Sequence, residues 1–532
     1  MSTDRQLHPE RLSRLLDHGA ADLLSGGNIG IEKESLRIGR DGLIAQTPHP
    51  ATLGSALTHP HITTDYSEAL LEFITPPFSD CNETLHYLCD IHRFVYEQLD
   101  DGELLLAASM PCGIDSDESI PIAEYGSSNI GRMKHIYRRG LWHRYGRTMQ
   151  SIAGIHFNYS VPDRLWQLLH QMENSPLELH QFISANYFSL IRNLQRRGWL
   201  ILYLFGCSSA VCKRFFSSRP ELMNGFDEFD AHTVYHPWAT SLRMSDIGYK
   251  SDNQAILDIN HNSLPDYVAA LDRATKTPFP PYQDIGIKVN GEYRQLNSNI
   301  LQIENEFYCI VRPKQITASG EKPSLALQRR GVRYVELRSL DLDPFCPVGI
   351  TRETARFVEA LLLSCLLEPS PLTTGEERRA NNANLLTVAR RGREPGLQLT
   401  ASGKAVPLGE WAERIFTEME PICTLLDGAD RDTPYTASLA QQREALRDPE
   451  LTPSATMLRY MRDKNCSYAA FALELSAKHE RYFRSRRLDS ARREAFRKMA
   501  EDSHLRQREL EDNDELLFDD FLENYFAQNE PR

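Results

Sequence analysis

Two glutamates set two residues apart are the first sign of chemistry in this chain. Glu32 and Glu34 lie in GIEKESLRI, residues 30–38, where Ile29, Ile31, Leu36 and Ile38 mark an extended segment. Side chains at i and i+2 of a strand share a face, so the two carboxylates point the same way. A second acidic run, ITTDYSEALLEFITP at 62–76, sets Asp65, Glu68 and Glu72 among apolar residues, and YVELRSLD puts Glu336 and Arg338 on one strand face. If these segments converge they form a polycarboxylate cage. Two like charges about 4 Å apart repel by about 4 kcal/mol at an effective dielectric of about 20, so such a cage calls for cations. Hard oxygen ligands suit magnesium, which proteins commonly hold with a few carboxylates and substrate phosphates. Phosphoryl transfer is the chemistry expected.

The elements that must position these groups are legible in the periodicity. An amphipathic helix is predicted over 7–25, closed by Gly26 and Gly27, and a turn at Asp41 and Gly42 returns the chain antiparallel. Helical spacing over 81–100 is capped by Asn82. SIAGIHFNYSVP at 151–162 reads as a strand with His156 and Asn158 on one face. A long helix and an apolar stretch over 180–212 supply core, and WATSLRMSDIGY at 238–249 presents Arg243 on an irregular loop. LNSNILQIENEFYCIVRPK, 296–314, alternates Ile300, Gln302, Glu304 and Glu306 with Leu301, Ile303, Asn305 and Phe307. It is expected as a strand whose polar side either meets solvent or lines a substrate funnel. Arg132, Lys134, Arg138, Arg139, Arg144 and Arg147 are expected mostly as a solvated helix face, and Arg393 as part of a surface turn. After residue 350 the pattern is helical. The expected organisation is a catalytic core over 1–349 and a helical part over 350–532 packed on it as one unit.

The 532 residues are 41 % hydrophobic and 25 % charged, the composition of a folded globular protein. A net charge of −13 argues against nonspecific nucleic-acid binding, which needs a basic footprint. The ten cysteines include no C-x-x-C pair and are expected as reduced thiols, mostly buried. The N-terminal residues lack signal-peptide order, and the most apolar stretch, WLILYLFG, is too short to span a bilayer, so a cytoplasmic location is expected.

Taken together, the motifs resemble glutamate-cysteine ligase of the proteobacterial type. The resemblance rests on GIEKESLRI, GSALTHPHITTDYSEALLEFITP, SMPC, AEYGSSNIGRMKHIYRRGL, GIHFNYS, YLFG, ATSLRMSDIGY, LNSNILQIENEFYCIVRPK and VELRSLDLDPF, in family order over the first two thirds of the chain. It implies an α+β, glutamine-synthetase-like fold: a curved, mostly antiparallel sheet forming a funnel, packed by helices, with a largely helical C-terminal third. The activity it implies joins the γ-carboxylate of L-glutamate to the amine of L-cysteine through a γ-glutamyl phosphate, at the cost of ATP. A related ligase using a different amine is the alternative.

Carried over by position, the resemblance gives one magnesium to Glu34, Asp65 and Glu72 and a second to Glu32, His156 and Glu336. A third ion is held mainly by nucleotide phosphates, and manganese is a substitute. Arg243 resembles the glutamate-binding arginine and Arg338 the one facing the transferred phosphoryl group. Tyr137, Tyr249 and Arg138 match positions beside the cysteine site, and Asn299 and Gln302 are nucleotide-side candidates. The implied partners are the three small-molecule substrates, with no nucleic acid and no membrane, and a monomer is expected.

Overall fold

The structure, a computed structural model, describes residues 10–248, 257 and 259–528. Its centre is a seven-stranded sheet in which every pairing is antiparallel. The strands are β1 (Asn28–Gly39), β2 (Ile62–Thr64), β3 (Leu70–Ile74), β4 (Glu103–Leu105), β5 (Ile155–Ser160), β6 (Val311–Lys314) and β7 (Tyr334–Leu340). They run in the order β6-β7-β5-β1-β3-β2, with β4 joined to the far end of β1. β1 is long enough to serve three neighbours. Its first half pairs with β5, its middle with β3 and its last three residues with β4.

Strand alternation divides the sheet into an apolar and a polar face. Ile29, Ile31, Leu71, Phe73, Ile155, Phe157, Tyr159, Val335 and Leu337 occupy the apolar face and are all buried. Helices α1 (Glu10–Asp17), α2 (Cys81–Gln98), α3 (Asn129–Tyr145), α4 (Leu179–Arg197) and α5 (Trp199–Phe205) follow in sequence. Among them α2 packs on β1, α4 on β6 and β7, and α5 on β7. The C-terminal third is largely helical as expected, and α6 (Arg352–Leu367), α7 (Tyr468–Arg484) and α8 (Ser490–Asp512) all pack against earlier elements. α6 lies on α4, and α7 lies on α2 and β4, where the Ala107 N–H donates to Ser476 Oγ at 2.9 Å. No helix among the described residues is long and apolar enough to cross a membrane.

Several expected elements differ. Of the helix expected over 7–25, residues 7–9 lie outside the described residues, and the rest is α1 plus a 3-10 turn at Ala21–Leu24, because Gly19 takes a φ of 62° between them. The stretch 180–212 is two helices broken at Gly198, followed by a short strand at Ala210–Cys212. The strand over 296–314 survives only as Val311–Lys314. Before it the chain is irregular, held by a buried polar network in which Glu306 accepts from the Gln302 N–H at 2.7 Å, Tyr145 Oη at 2.7 Å and Arg144 at 2.9 Å. Arg144 is therefore a fully buried ion-pair partner and not a solvated side chain. Arg393 likewise leaves the surface: it is 5 % exposed and donates to the carbonyls of Pro237 and Ala239. The turn at Asp41 and Gly42 does return the chain antiparallel, pairing Ile44 with Ile38.

The loop entering β2 carries its own pH dependence. His59 Nδ1 accepts from the backbone N–H groups of His61 at 3.0 Å and Ile62 at 2.9 Å, which fixes the approach of the chain to Asp65. Burial, then the neighbouring His61 and His49, push this imidazole from 6.5 down to about 3. The unfolded chain takes up the proton below 6.5 and the folded chain does not, so this contribution is complete above 6.5 and is lost as pH falls toward 3. His59→Asn keeps an acceptor without titrating, so the melting temperature should fall less steeply below pH 6.5. The recovery at pH 5.5 should be about 1 kcal/mol.

Candidate active site

The polar face of the sheet gathers the expected acids. Register places Glu34 opposite Glu72 on β3, Glu32 opposite His156 on β5, and Glu336 on β7 opposite Asn158. Even-numbered positions of β1, β3, β5 and β7 therefore share one surface, and five of the six expected ligands stand on it. The sixth, Asp65, enters from the turn between β2 and β3. Its backbone N–H donates to the Leu70 carbonyl at 3.0 Å, and its own carbonyl accepts from Tyr125 Oη at 3.0 Å and from Arg138 Nε. Glu68, the third acid of that run, turns away and accepts from the backbone N–H groups of His49 and Glu124.

Contacts tie the groups together. His156 Nδ1 lies 3.1 Å from Glu32 and 3.8 Å from Glu336, and its Nε2 lies 3.6 Å from Glu34. Asn158 Nδ2 donates to Glu32 at 3.0 Å, and the Gly154 N–H donates to Glu34 at 2.6 Å. Arg338 lies 3.2 Å from one oxygen of Glu336 and Lys314 lies 3.2 Å from the other.

Electrostatics splits the patch into two halves. Burial raises the Glu34 carboxyl and Asp65 adds to it; against Arg243 and Arg338 the result is about 8. Burial, then Glu32, Asp65 and Glu34, push Glu72 well above the carboxylate range. On the other side burial would raise Glu336 too, but Lys314, Arg338, His156 and Arg312 hold it well below. Glu32 is also lowered, burial and Glu336 being outweighed by the His156 hydrogen bond and by Lys314. Burial and Arg338 depress His156. Without a cation Glu34 and Glu72 thus hold protons, whereas Glu32 and Glu336 stay ionised against local cations.

A divalent ion fits this surface. Ligand atoms of Glu32, Glu72 and His156 all lie within 4.8 Å of one another, bridging the two halves. Among the described residues His156 Nε2 is buried without a hydrogen-bond partner, and it faces a carboxylate, as a metal-ligating imidazole nitrogen would.

Arg243 stands at the edge of the same surface. It sits on a 3-10 turn at Leu242–Met244, is 1 % exposed, and donates to the Arg338 carbonyl at 3.0 Å. A Cβ at Gly154 would come within 2.0 Å of its guanidinium, so only glycine leaves room for it. Tyr137 and Arg138 lie on α3, with Arg138 stacked 4.6 Å over Tyr125. Tyr249 lies outside the described residues. Asn299 and Gln302 are spent elsewhere. Gln302 is fully buried, accepting from the Leu296 N–H and donating to the Tyr137 carbonyl, and Asn299 donates to the Thr275 carbonyl. A nucleotide contact at either would first have to break these bonds. Lys314 is the group that sequence reading left unassigned; its signal was parity, since Arg312 pairs with Glu336 and the lysine two residues on shares that face.

A sequence model of the glutamate-cysteine ligase family matches residues 12–388, well over half of the chain. The chain belongs to that family. Among curated glutamate-cysteine ligases, that of Pseudomonas aeruginosa strain PAO1 is 51 % identical over 498 residues, covering 94 % of each chain. That of Azotobacter vinelandii is 48 % identical over 525 residues, covering 98 % of each. The crystal structure of glutamate-cysteine ligase from Francisella tularensis in complex with AMP superposes with a TM-score of 0.89 at 36 % identity, covering 94 % of this chain and 98 % of that one. A bifunctional glutathione synthetase from Pasteurella multocida shares the fold, with a TM-score of 0.67 at 24 % identity over 88 % of this chain and 53 % of that one.

Proposed function

We propose that the polar sheet face is where this chain joins the γ-carboxylate of L-glutamate to the amine of L-cysteine with ATP, forming γ-glutamylcysteine, ADP and phosphate, the first step of glutathione synthesis. The single observation that carries the reading is the convergence of Glu32, Glu34, Asp65, Glu72, His156 and Glu336 on one surface, bordered by Arg338 and Arg243.

The division of labour is the one the family resemblance implies, with Glu32, Glu72 and His156 close enough to bridge the two sets. Glu34, Asp65 and Glu72 would hold one magnesium ion, and Glu32, His156 and Glu336 a second beside the nucleotide phosphates; a third would rest mainly on those phosphates. Bound there, the ions supply the positive charge that screens phosphoryl oxygens and keeps both sets of acids ionised. A carboxylate is a poor electrophile because an amine attacking it would have to expel oxide. Phosphorylation of the γ-carboxylate by ATP turns that oxygen into a phosphate leaving group. Arg338, with Glu336 and His156 beside it, would meet the transferring phosphoryl group with its planar fork. Arg243, walled by Gly154 and the Arg338 carbonyl, would fix the glutamate by its α-carboxylate. Tyr137 and Arg138 on α3 would border the cysteine. The attacking amine gives up a proton to a carboxylate or phosphate oxygen within reach.

The test is direct. Full-length protein given ATP, magnesium, glutamate and cysteine should yield γ-glutamylcysteine by mass spectrometry, with matching ADP release. Chelation of divalent ions should abolish product. Comparable turnover with ammonia in place of cysteine would reassign the chain to a ligase with another amine. Magnesium should also raise the melting temperature, by the equivalent of about 2.7 kcal/mol at a hundredfold excess over its dissociation constant.

A further inference from the structure

We infer that Asp341 is a positioning residue for Arg243, locking the loop that carries this arginine to the strand that forms the active-site floor. The inference rests on the reading of Arg243 as the group that binds the amino-acid substrate.

Arg243 comes from a segment outside the main sheet. Its 3-10 turn follows Ser241, which is tied to Ser208 by a single bridge and whose backbone N–H donates to the Ala389 carbonyl. Something must relate this turn to Glu336 and Arg338, and Asp341 is placed to do so. It directly follows the last residue of β7, so it is continuous with the floor strand.

Its carboxylate is fully buried and takes three hydrogen bonds from two other segments. Oδ1 accepts from Ser241 Oγ at 2.8 Å, and Oδ2 accepts from Ser208 Oγ at 2.6 Å and from the Cys207 N–H at 2.9 Å. The Ser208 hydroxyl in turn accepts from the Arg243 N–H at 3.2 Å, and Oδ1 lies 3.9 Å from Arg243 Nη1. The Cys207 N–H can only donate, the two serine hydroxyls give their protons here, and Arg243 is a cation, so a carboxylate satisfies the whole set. An asparagine amide N–H₂ in place of Oδ2 would face the Cys207 N–H, and in place of Oδ1 the Arg243 guanidinium. The guanidinium is then bounded by Gly154, the Arg338 carbonyl and Asp341.

Steady-state kinetics of the full-length protein with each substrate varied in turn tests this. D341N should raise KM for glutamate by about tenfold or more, with KM for ATP within about twofold of wild type. S241A, which removes one donor from Oδ1, should raise it by about threefold. A folded D341N with unchanged glutamate KM, or with glutamate and ATP KM rising together, would overturn the assignment. If D341N does not fold, S241A decides: a selective rise in glutamate KM supports the role, and no rise overturns it. Wild-type protein that formed no γ-glutamyl product would instead sink the functional reading beneath it, a result seen before any variant is compared.

Discussion

Replacing Glu34 with glutamine should lower turnover by about 10²–10³-fold while leaving the ion-free protein as stable as before. The two halves of this expectation have one cause. Glu34 is 1 % exposed, accepts the Gly154 N–H, and is raised to about 8 by burial and by Asp65. Without cations at neutral pH it therefore carries a proton, and glutamine copies the shape and neutrality of that form. Nothing in the ion-free fold is asked to change. With magnesium the comparison reverses, because the wild-type carboxylate gives up its proton to become a ligand and the amide has only a neutral oxygen to offer. The stabilisation that magnesium gives wild type should shrink in E34Q, since binding linkage depends on affinity for the folded state alone. Thermal melts with and without magnesium, together with turnover at saturating magnesium, read both halves. An unchanged magnesium shift together with unchanged turnover would remove Glu34 from the ion-binding set.

This separation also explains what could be read from the chain in advance. β1, β5 and β7 were legible because their apolar residues alternate with acids, His156 and Asn158, a pattern that plain core or plain surface does not produce. Strand parity then put Glu32 beside Glu34 and Glu336 beside Arg338 with no knowledge of the fold. Cross-strand register was not readable, yet it is register that sets Glu34 opposite Glu72 and Glu32 opposite His156. There the family resemblance had already grouped these residues, and register is what sets them side by side.

The failures share a different cause. At 296–314 the alternation of Gln302, Glu304 and Glu306 imitates the polar side of a strand. The structure spends these residues inside, where Glu306 neutralises the buried Arg144 and Gln302 stitches the loop to α3. Arg144 and Arg393 looked like solvated cations because local sequence carries no sign of a distant acceptor. Their partners are Glu306, 162 residues away, and the carbonyls of Pro237 and Ala239. Asp341 escaped for the same reason, since its three donors come from two loops that converge only in three dimensions. Periodicity reports which face a residue occupies, whereas buried polar networks are decided by tertiary pairing.

Arg338→Lys should cut turnover by about 10²-fold and leave the affinity for glutamate almost unchanged. The backbone at this position is held by β7 and by the Arg243 guanidinium on its carbonyl, so lysine inherits the same starting point. Its positive charge remains and Glu336, which also has Lys314 at 3.2 Å, stays ionised. What is lost is the planar fork. Arg338 Nη1 lies 3.2 Å from Glu336 and 3.5 Å from His156, so one edge of the guanidinium is already engaged. It is the paired N–H geometry of the fork that would meet an oxygen of the transferring phosphoryl group. An ammonium on a four-carbon stem can satisfy Glu336 or follow the phosphoryl oxygens, but lacks the rigid geometry to do both. An interaction made mainly while charge develops on those oxygens appears in turnover and little in substrate affinity. Turnover and binding measured separately on the folded variant decide the matter: a loss confined to glutamate affinity would move Arg338 from the phosphoryl side of the site to the amino-acid side.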